Sequence, residues 1–324
     1  MSVSVAIPTR DPSVAHLDAL LASLLTQQQV VDEVVVFDDA SDSNVAESTC
    51  NQWSGLLPIR FHRHATRAGM VANWNAAVGI ASGTHVVLAG QDDVLGPAFI
   101  KRVHALCGDD VAAVSCANTY IDDNGSRVRP HLRVNHRLRF YPDPGMYKIP
   151  AGRLIEFGLR NGNIIGEPAC VLFRRAAFER VGGYDTFFEQ AADLDFALRL
   201  LEIGAIVYVN EELVARRLHV QSATSQNIRN GVAARDRHRL YRRYASRLGT
   251  HGDHRVRASL AARAVKDVLL GLRTGNTALA RLALSLCWQA LAPWPPCGRA
   301  IFELLGELAS GHNADSRVLR AYRL

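Results

Sequence analysis

The chain has 324 residues, 48% of them hydrophobic and 21% charged, which describes an ordinary globular protein with room for one large domain and a smaller one. Its net charge of +6 is unevenly spread: residues 1–227 carry 20 Lys+Arg against 25 Asp+Glu, and residues 228–324 carry 17 against 6. The first part is therefore at −5 and the tail at +11, a basic surface for an acidic partner or an anionic membrane, without a zinc-finger or RNA-binding signature to favour nucleic acid.

Strand character opens the chain at Val3–Ile7 and gives way to Pro8-Thr9-Arg10-Asp11. Leu17, Leu20, Leu21, Leu24 and Leu25 follow at helical spacing. A second strand, Glu33 to Phe37, ends in Asp38-Asp39. Strand, helix, strand with turn residues between them is a βαβ unit with a right-handed crossover. An aspartate at such a strand end can accept from a ribose hydroxyl or a pyrimidine imide, or it can simply make an Asx turn. Ile59–His62 reads as a third strand and Ala72–Ile80 as a helix. Between them Arg67 is placed either to face a diphosphate or to lie in solvent.

Thr84 to Leu95 is the most informative stretch. The run Val86-Val87-Leu88-Ala89 is too short for a helix, is rich in β-branched residues and stops at Gly90, as a central strand of a parallel sheet does. It delivers Gln91, Asp92 and Asp93 to the carboxyl end of the strand, where open α/β sheets bind ligands. One or two carboxylates plus substrate phosphates are how magnesium is commonly held, so the spacing suits a metal-bridged nucleotide diphosphate. The plainer alternative is that the Asp pair starts a turn or caps a helix. Neither GxxxxGK[ST] nor GxGxxG occurs near these strands, which argues against a P-loop NTPase and a dinucleotide-binding domain.

Val111–Ile121 reads as a further strand and Ser126–Pro150 as a long loop. Strand character resumes at Ala169–Phe173, then a helical turn at Arg175–Val181. Leu194, Ala197, Leu198 and Leu201 form an apolar helical stripe that places Asp193 near a helix N-terminus. Ile206–Val209 is the last strand expected, and the segment Arg216 to Ser225, which contains His219, closes the first domain. Helices are expected near 232–248, 256–272, 277–291 and 299–309, with no motif in this tail that carries chemistry. The six cysteines show no metal spacing and read as reduced thiols. With no cleavable leader and no apolar run near 20 residues, a cytoplasmic protein is expected.

Taken in order, VSVAIPTRDP, EVVVFDDASDS, RAGMVANWNAAVGIASGTHVVLAGQDD, FRRAAFERVGGYDTFFEQAADLDFALRLLEIGA and RLHVQSATS resemble the family 2 glycosyltransferases of the GT-A fold over roughly residues 1–225. The resemblance implies an α/β fold, a Rossmann-like, mostly parallel sheet flanked by helices, with a C-terminal helical region. It divides the chain into a catalytic domain, 1–227, and a basic helical region, 228–324. By resemblance Pro8, Asp38, Asp39, Arg67 and Asp92 would line the nucleotide-sugar site, and Asp93 would bind manganese or magnesium. His219 would contact the metal or diphosphate, and Asp193 would be the catalytic base. Two positions depart from the family pattern: Gln91 opens the DXD-like triplet, and Ala192 precedes the base where an acid is usual.

The activity implied is inverting transfer of a sugar from a nucleotide-diphosphate donor, UDP- or dTDP-linked, to a hydroxyl of a saccharide or lipid-linked acceptor in surface polysaccharide or glycolipid assembly. The basic tail would then either touch the inner face of the cell membrane peripherally or form a helical cap that packs on the catalytic domain and exposes its arginines. A glycoside hydrolase, which also uses two carboxylates, and a non-catalytic nucleotide-sugar-binding module are the alternatives.

Overall fold

The structure is a computed structural model, described here for residues 2–128, 141, 143–152, 154–163, 165–218 and 223–291. Its first half alternates strand and helix: β1 Val3–Thr9, α1 Val14–Leu25, β2 Glu33–Asp38, α2 Val45–Trp53, β3 Ile59–Arg63, α3 Met70–Gly79 and β4 His85–Leu88. β1 pairs in parallel with both β2 and β4, and β2 with β3, giving the order β3-β2-β1-β4. These strands are apolar at successive positions because both faces of the sheet are covered. Val3, Val5 and Ile7 pack on α1 with Leu17, Leu20 and Leu21, while Ala6, Val35 and Leu88 belong to the core on the opposite face, with Val71 and Val78 of α3.

β5 Val94–Leu95, α4 Phe99–His104, β6 Val111–Ile121, β7 Arg127–Val128, β8 Met146–Ile149, α5 Ile155–Asn161, β9 Val171–Arg174, α6 Arg175–Val181, α7 Ala192–Ile203 and β10 Ala205–Arg217 follow. β9 runs antiparallel between β4 and β6, and β10 lies parallel to β6, so one mixed sheet continues across the molecule. The segment expected to be a long loop contains two of these strands, with β8 antiparallel to β10; residues 129–140 within it lie outside the described residues. β10 is far longer than the expected Ile206–Val209. Its register with β6 shifts between Val209 and Glu212, and that irregularity puts Asn210, Glu211 and Glu212 in the middle of the strand, where the apolar pattern stops.

After an unexpected short helix, α8 Ala223–Arg229, the tail forms α9 Val232–Tyr244, α10 Thr250–Arg273 and α11 Thr277–Leu291, close to the expected helices; the one expected near 299–309 lies outside the described residues. α10 and α11 pack so closely that a Cβ on Gly271 would sit 2.8 Å from the Ala280 nitrogen. The helices also join the first part of the chain directly: Arg255 pairs with Glu156 of α5 at 2.8 Å, and Ser259 donates to the Arg160 carbonyl at 3.1 Å. No helix among the described residues is long and apolar enough to cross a membrane.

At the end of the sheet away from the acidic loops, one buried carboxylate ties the parallel strands together. Glu33 of β2 accepts from Ser4 of β1 at 2.5 Å, from Arg60 of β3 at 2.5 Å and from the Ser82 N–H, just before β4, at 2.8 Å. Burial opposes its charge, but the hydrogen bonds from Ser4, Ser82 and Arg60 prevail and hold it below the ordinary glutamate value of 4.5. A carboxyl with a lowered pKa stabilises the fold above its unfolded value, and that support is lost as pH falls through the lower folded one. Glu33→Gln is therefore expected to cost about 2 kcal/mol at pH 7. In chemical denaturation the gap between parent and variant should narrow as pH falls below the ordinary glutamate value of 4.5.

Candidate active site

The carboxyl ends of β1, β2 and β4 are drawn together by side chains that serve the backbone. Asn73 of α3 donates to the carbonyls of Thr9 and Phe37, at 3.3 and 3.0 Å, holding two strand ends at once. The Asp11 N–H donates to Ser41 Oγ at 2.7 Å, and the Asp42 N–H donates back to Asp11 at 2.8 Å. Asp11 and Ala40 both adopt left-handed backbone conformations, φ 43° and 50°. Such conformations cost non-glycine residues of order 1–3 kcal/mol each and collect at functional sites.

Asp38 and Asp39, adjacent in sequence, have different surroundings. Asp38 is fully buried and accepts from Arg63 Nε at 2.7 Å, the Ser41 N–H at 3.0 Å and Thr9 Oγ1 at 3.2 Å. Its carboxylate is engaged in building the wall. Asp39 reaches across to the loop before α3, accepting the N–H groups of Ala68 and Gly69 at 2.6 and 3.0 Å. Arg67 projects from that loop at the rim, pairing with Asp42 at 2.7 Å and approaching Asp11 at 3.7 Å. Pro8, in register with Phe37, is half-buried at the end of β1.

The acidic triplet after β4 divides its labour. Gln91 accepts the Arg10 N–H at 2.8 Å and donates to the Arg10 carbonyl at 3.1 Å, so its amide clamps the end of β1 from both sides. A carboxylate could make only the accepting half of that pair. The carboxylates of Asp92 and Asp93 crowd over Gly90, where a Cβ would lie 3.1 Å from Asp92 Oδ1 and 2.8 Å from Asp93 Oδ2. The glycine that ends the strand pattern is thus required by the two acids that follow it.

The short pairing of β5 with β10 sets Val94 opposite Ala215, and so brings Arg216 and Arg217 against the triplet. Arg217 turns to the backbone, donating to the carbonyls of Asp92 and Asp122 at 3.1 and 2.5 Å. Arg216 ion-pairs with Glu167 at 3.4 Å and interacts electrostatically with Asp93 and Asp193. Burial works against its charge, but Glu167 and Asp93 hold the guanidinium protonated more firmly than usual. Asp93 is pushed up to about 8, by burial first and then by Asp92, with Arg216 opposing. Asp193 is pushed up to about 7 by burial and by Glu167, with hydrogen bonds from Asn163 and Leu194 opposing.

Asp193 lies in the first turn of α7, as the apolar stripe predicted. Asn163 donates to its Oδ2 at 2.7 Å and the Leu194 N–H to its Oδ1 at 2.7 Å. Its neighbour Asp195 is fully buried on another side of the helix, bound by Arg199 and Arg243 at 2.8 Å each. Asp93 and Asp193 thus both interact electrostatically with one guanidinium, and Pro8, Asp38, Asp39, Arg67 and Asp92 lie along the same sheet edge. His219 lies outside the described residues. Sequence reasoning missed Asn163, Glu167 and Arg216; the only local hint was that Arg216 opens the segment containing His219.

For a divalent cation the fit is partial and chemically consistent. The converging oxygens of Asp92 and Asp93 form a hard donor set, and among the described residues no group of three or more His, Cys, Asp or Glu side chains makes a complete cage. Such a site suits a cation whose remaining positions are filled by phosphate oxygens and water.

Comparison with known proteins agrees with this architecture. Over 87% of the chain and 90% of the other, the structure superposes on the 1–349 portion of S. aureus TarS in complex with UDP-GlcNAc, with TM-score 0.53 and 14% identity, and similarly on its UDP complex at TM-score 0.54 and 15%. That likeness shows the fold. In sequence the chain is 28% identical over 240 residues to MT1568 of Mycobacterium tuberculosis (strain CDC 1551 / Oshkosh), covering 74% of each. It is 24% identical over 228 residues to the chondroitin synthase of Pasteurella multocida (strain Pm70), covering 70% of this chain and 22% of that one. The sequence model described as Glycosyl transferase family 2 matches residues 4–182, more than half of the chain, and the protein belongs to that family.

Proposed function

We propose that the protein transfers a sugar, with inversion, from a UDP-linked donor to a hydroxyl acceptor. The observation that carries this reading is the convergence of Asp93, Glu167 and Asp193 on Arg216, beside the strand-end loops of Asp39 and Arg67. The TarS structures that share the fold hold UDP and UDP-GlcNAc, which supports a uridine donor here. In this reading the nucleoside lies against Asp39, Arg67 and Pro8, and the diphosphate against Asp92 and Asp93. Asp193 takes the proton of the acceptor hydroxyl as that oxygen bonds to the anomeric carbon, and the carbon–oxygen bond to the diphosphate breaks with its electron pair. Asn163 and the Leu194 N–H fix which way the Asp193 oxygens point. Arg216 offers a fixed positive charge to the departing phosphate. Manganese or magnesium, held by Asp93 with Asp92 beside it, would supply further neutralisation of that charge. The acceptor we propose is a saccharide or lipid-linked saccharide of a surface polysaccharide or glycolipid, met at the inner face of the cell membrane.

A panel of UDP- and dTDP-sugars screened by thermal unfolding identifies the donor, because a ligand of the folded state raises the melting temperature. With that donor, Asp193→Asn should bind nearly as well as the parent and turn over more slowly by about a hundredfold to ten-thousandfold. A base must be deprotonated to act, and this one is held up at about 7, so the parent's turnover should fall as pH drops below about 7 and level off above it. Turnover in Asp193→Asn within tenfold of the parent would remove Asp193 from this role. No turnover in the parent with any panel donor and acceptor would favour the binding-module reading.

Cation binding is tested at Asp93. UDP should bind about tenfold or more weaker after EDTA treatment, and Asp93→Ala should bind UDP weakly with or without EDTA. Because Asp93 is held up at about 8, uptake of the cation with UDP at pH 7 should release a proton, read by calorimetry in buffers of different ionisation enthalpy. Unchanged UDP affinity in Asp93→Ala would overturn the assignment.

Membrane contact rests on the helical tail, where Leu269, Leu272, Leu284 and Trp288 are exposed on α10 and α11 near Arg273 and Arg281. Apolar side chains with cationic neighbours suit an anionic lipid surface. Phosphatidylglycerol vesicles should sediment the protein at low salt, and Trp288→Ser should weaken the binding. Absence of sedimentation would exclude this contact.

A further inference from the structure

α7, which presents Asp193, has no cap of its own. Its N-cap position is Ala191, whose side chain cannot accept a hydrogen bond. The turn that leads into the helix is instead held from 45 residues further along the chain. Asp236 of α9 is fully buried, and its Oδ2 accepts three successive N–H groups, from Glu189 at 2.9 Å, Gln190 at 2.7 Å and Ala191 at 3.2 Å. A carboxylate at this end also meets the positive pole of the helix.

The same helix grips the preceding residues. Arg239 holds the other oxygen of Asp236 at 3.3 Å, donates to the Phe187 carbonyl at 3.3 Å and lies 4.6 Å from the centre of the Phe187 ring. Arg243 lies over Phe188 at 4.7 Å and binds both Asp185, at 2.6 Å, and Asp195, at 2.8 Å. Asn227 of α8 donates to the Gln190 side chain at 3.1 Å. From Asp185 to Asp195 the segment that carries Asp193 is thus held largely by the basic tail.

We propose that Asp236 is a positioning residue for sugar transfer: it acts through Asp193, by fixing the backbone turn from which Asp193 projects. The inference rests on Asp193 being the base. A carboxylate out of place by about an ångström can cost a hundredfold in rate while leaving donor binding, on the strand-end loops, untouched.

The experiment is a double-mutant cycle in the full chain, using UDP affinity, thermal unfolding and turnover with the donor found in the panel. Asp236→Ala should lower kcat about thirtyfold with UDP affinity within about twofold of the parent. Asp236→Asn keeps one acceptor oxygen and should recover most of that loss, to within about fivefold. In the Asp193→Asn background, Asp236→Ala should cost no more than about threefold further, because the group it positions is no longer a base. Losses that multiply, or a kcat for Asp236→Ala within threefold of the parent, would overturn the proposal. Should Asp236→Ala fail to fold, Asp236→Asn carries the comparison, its loss expected to vanish in the Asp193→Asn background. Near-normal turnover in Asp193→Asn alone defeats the base reading itself, a result separate from additivity in the cycle.

Discussion

Arg216 is the interaction on which the site depends. Asp93, Glu167 and Asp193 come from three separate stretches of chain, and the burial of Asp93 and Asp193, with the part-exposed Glu167 near by, raises the energy of their ionised forms. One guanidinium facing all three lowers that cost, and its delocalised charge cannot be lost by titration as a lysine's can. Its position is set by sheet register alone. β10 must pass the irregularity after Val209 and still pair with β5, two residues long, for Arg216 to arrive beside Asp93. The bulged strand is therefore part of the electrostatic design.

The parts of this arrangement that were legible in sequence are those whose signal is local. The β-branched run before Gly90 marked a buried strand, and Asp92 and Asp93 followed at its end. The apolar stripe of α7 gave the helix start and therefore Asp193. Glu167, Asn163 and Arg216 carry no such signal: each gains its meaning from a partner at least thirty residues away, which only the folded sheet supplies. β8 was hidden because four residues between turn-forming prolines and glycines show too little alternation. The true length of β10 was hidden because its polar residues fall mid-strand. Asp38 shows the opposite limit. It has the appearance of a ligand-binding acid in sequence, yet Arg63, Ser41 and Thr9 consume its carboxylate, and only Asp39 turns toward the loop.

The division of the chain into a catalytic part and a basic tail follows charge, and the contacts cross it. Arg255 and Ser259 fasten α10 to α5, while Asp236, Arg239 and Arg243 fasten α9 to the approach to α7. Much of the tail's positive charge near this boundary is spent on acids of the first part. A positive tail on an acidic body is what such an internal seam requires, quite apart from any external anionic surface.

Gln91 changes the charge balance of the strand-end loop. A third carboxylate there would add a negative charge beside Asp92 and Asp93, where one acid is already held up at about 8. An amide instead leaves the loop with two acids and ties it to the Arg10 peptide through both polarities. The loop is thereby tied to the end of β1 through a neutral side chain, whose hold is insensitive to pH and salt. Titration of the neighbouring Asp93 therefore leaves the tie between the ends of β4 and β1 in place.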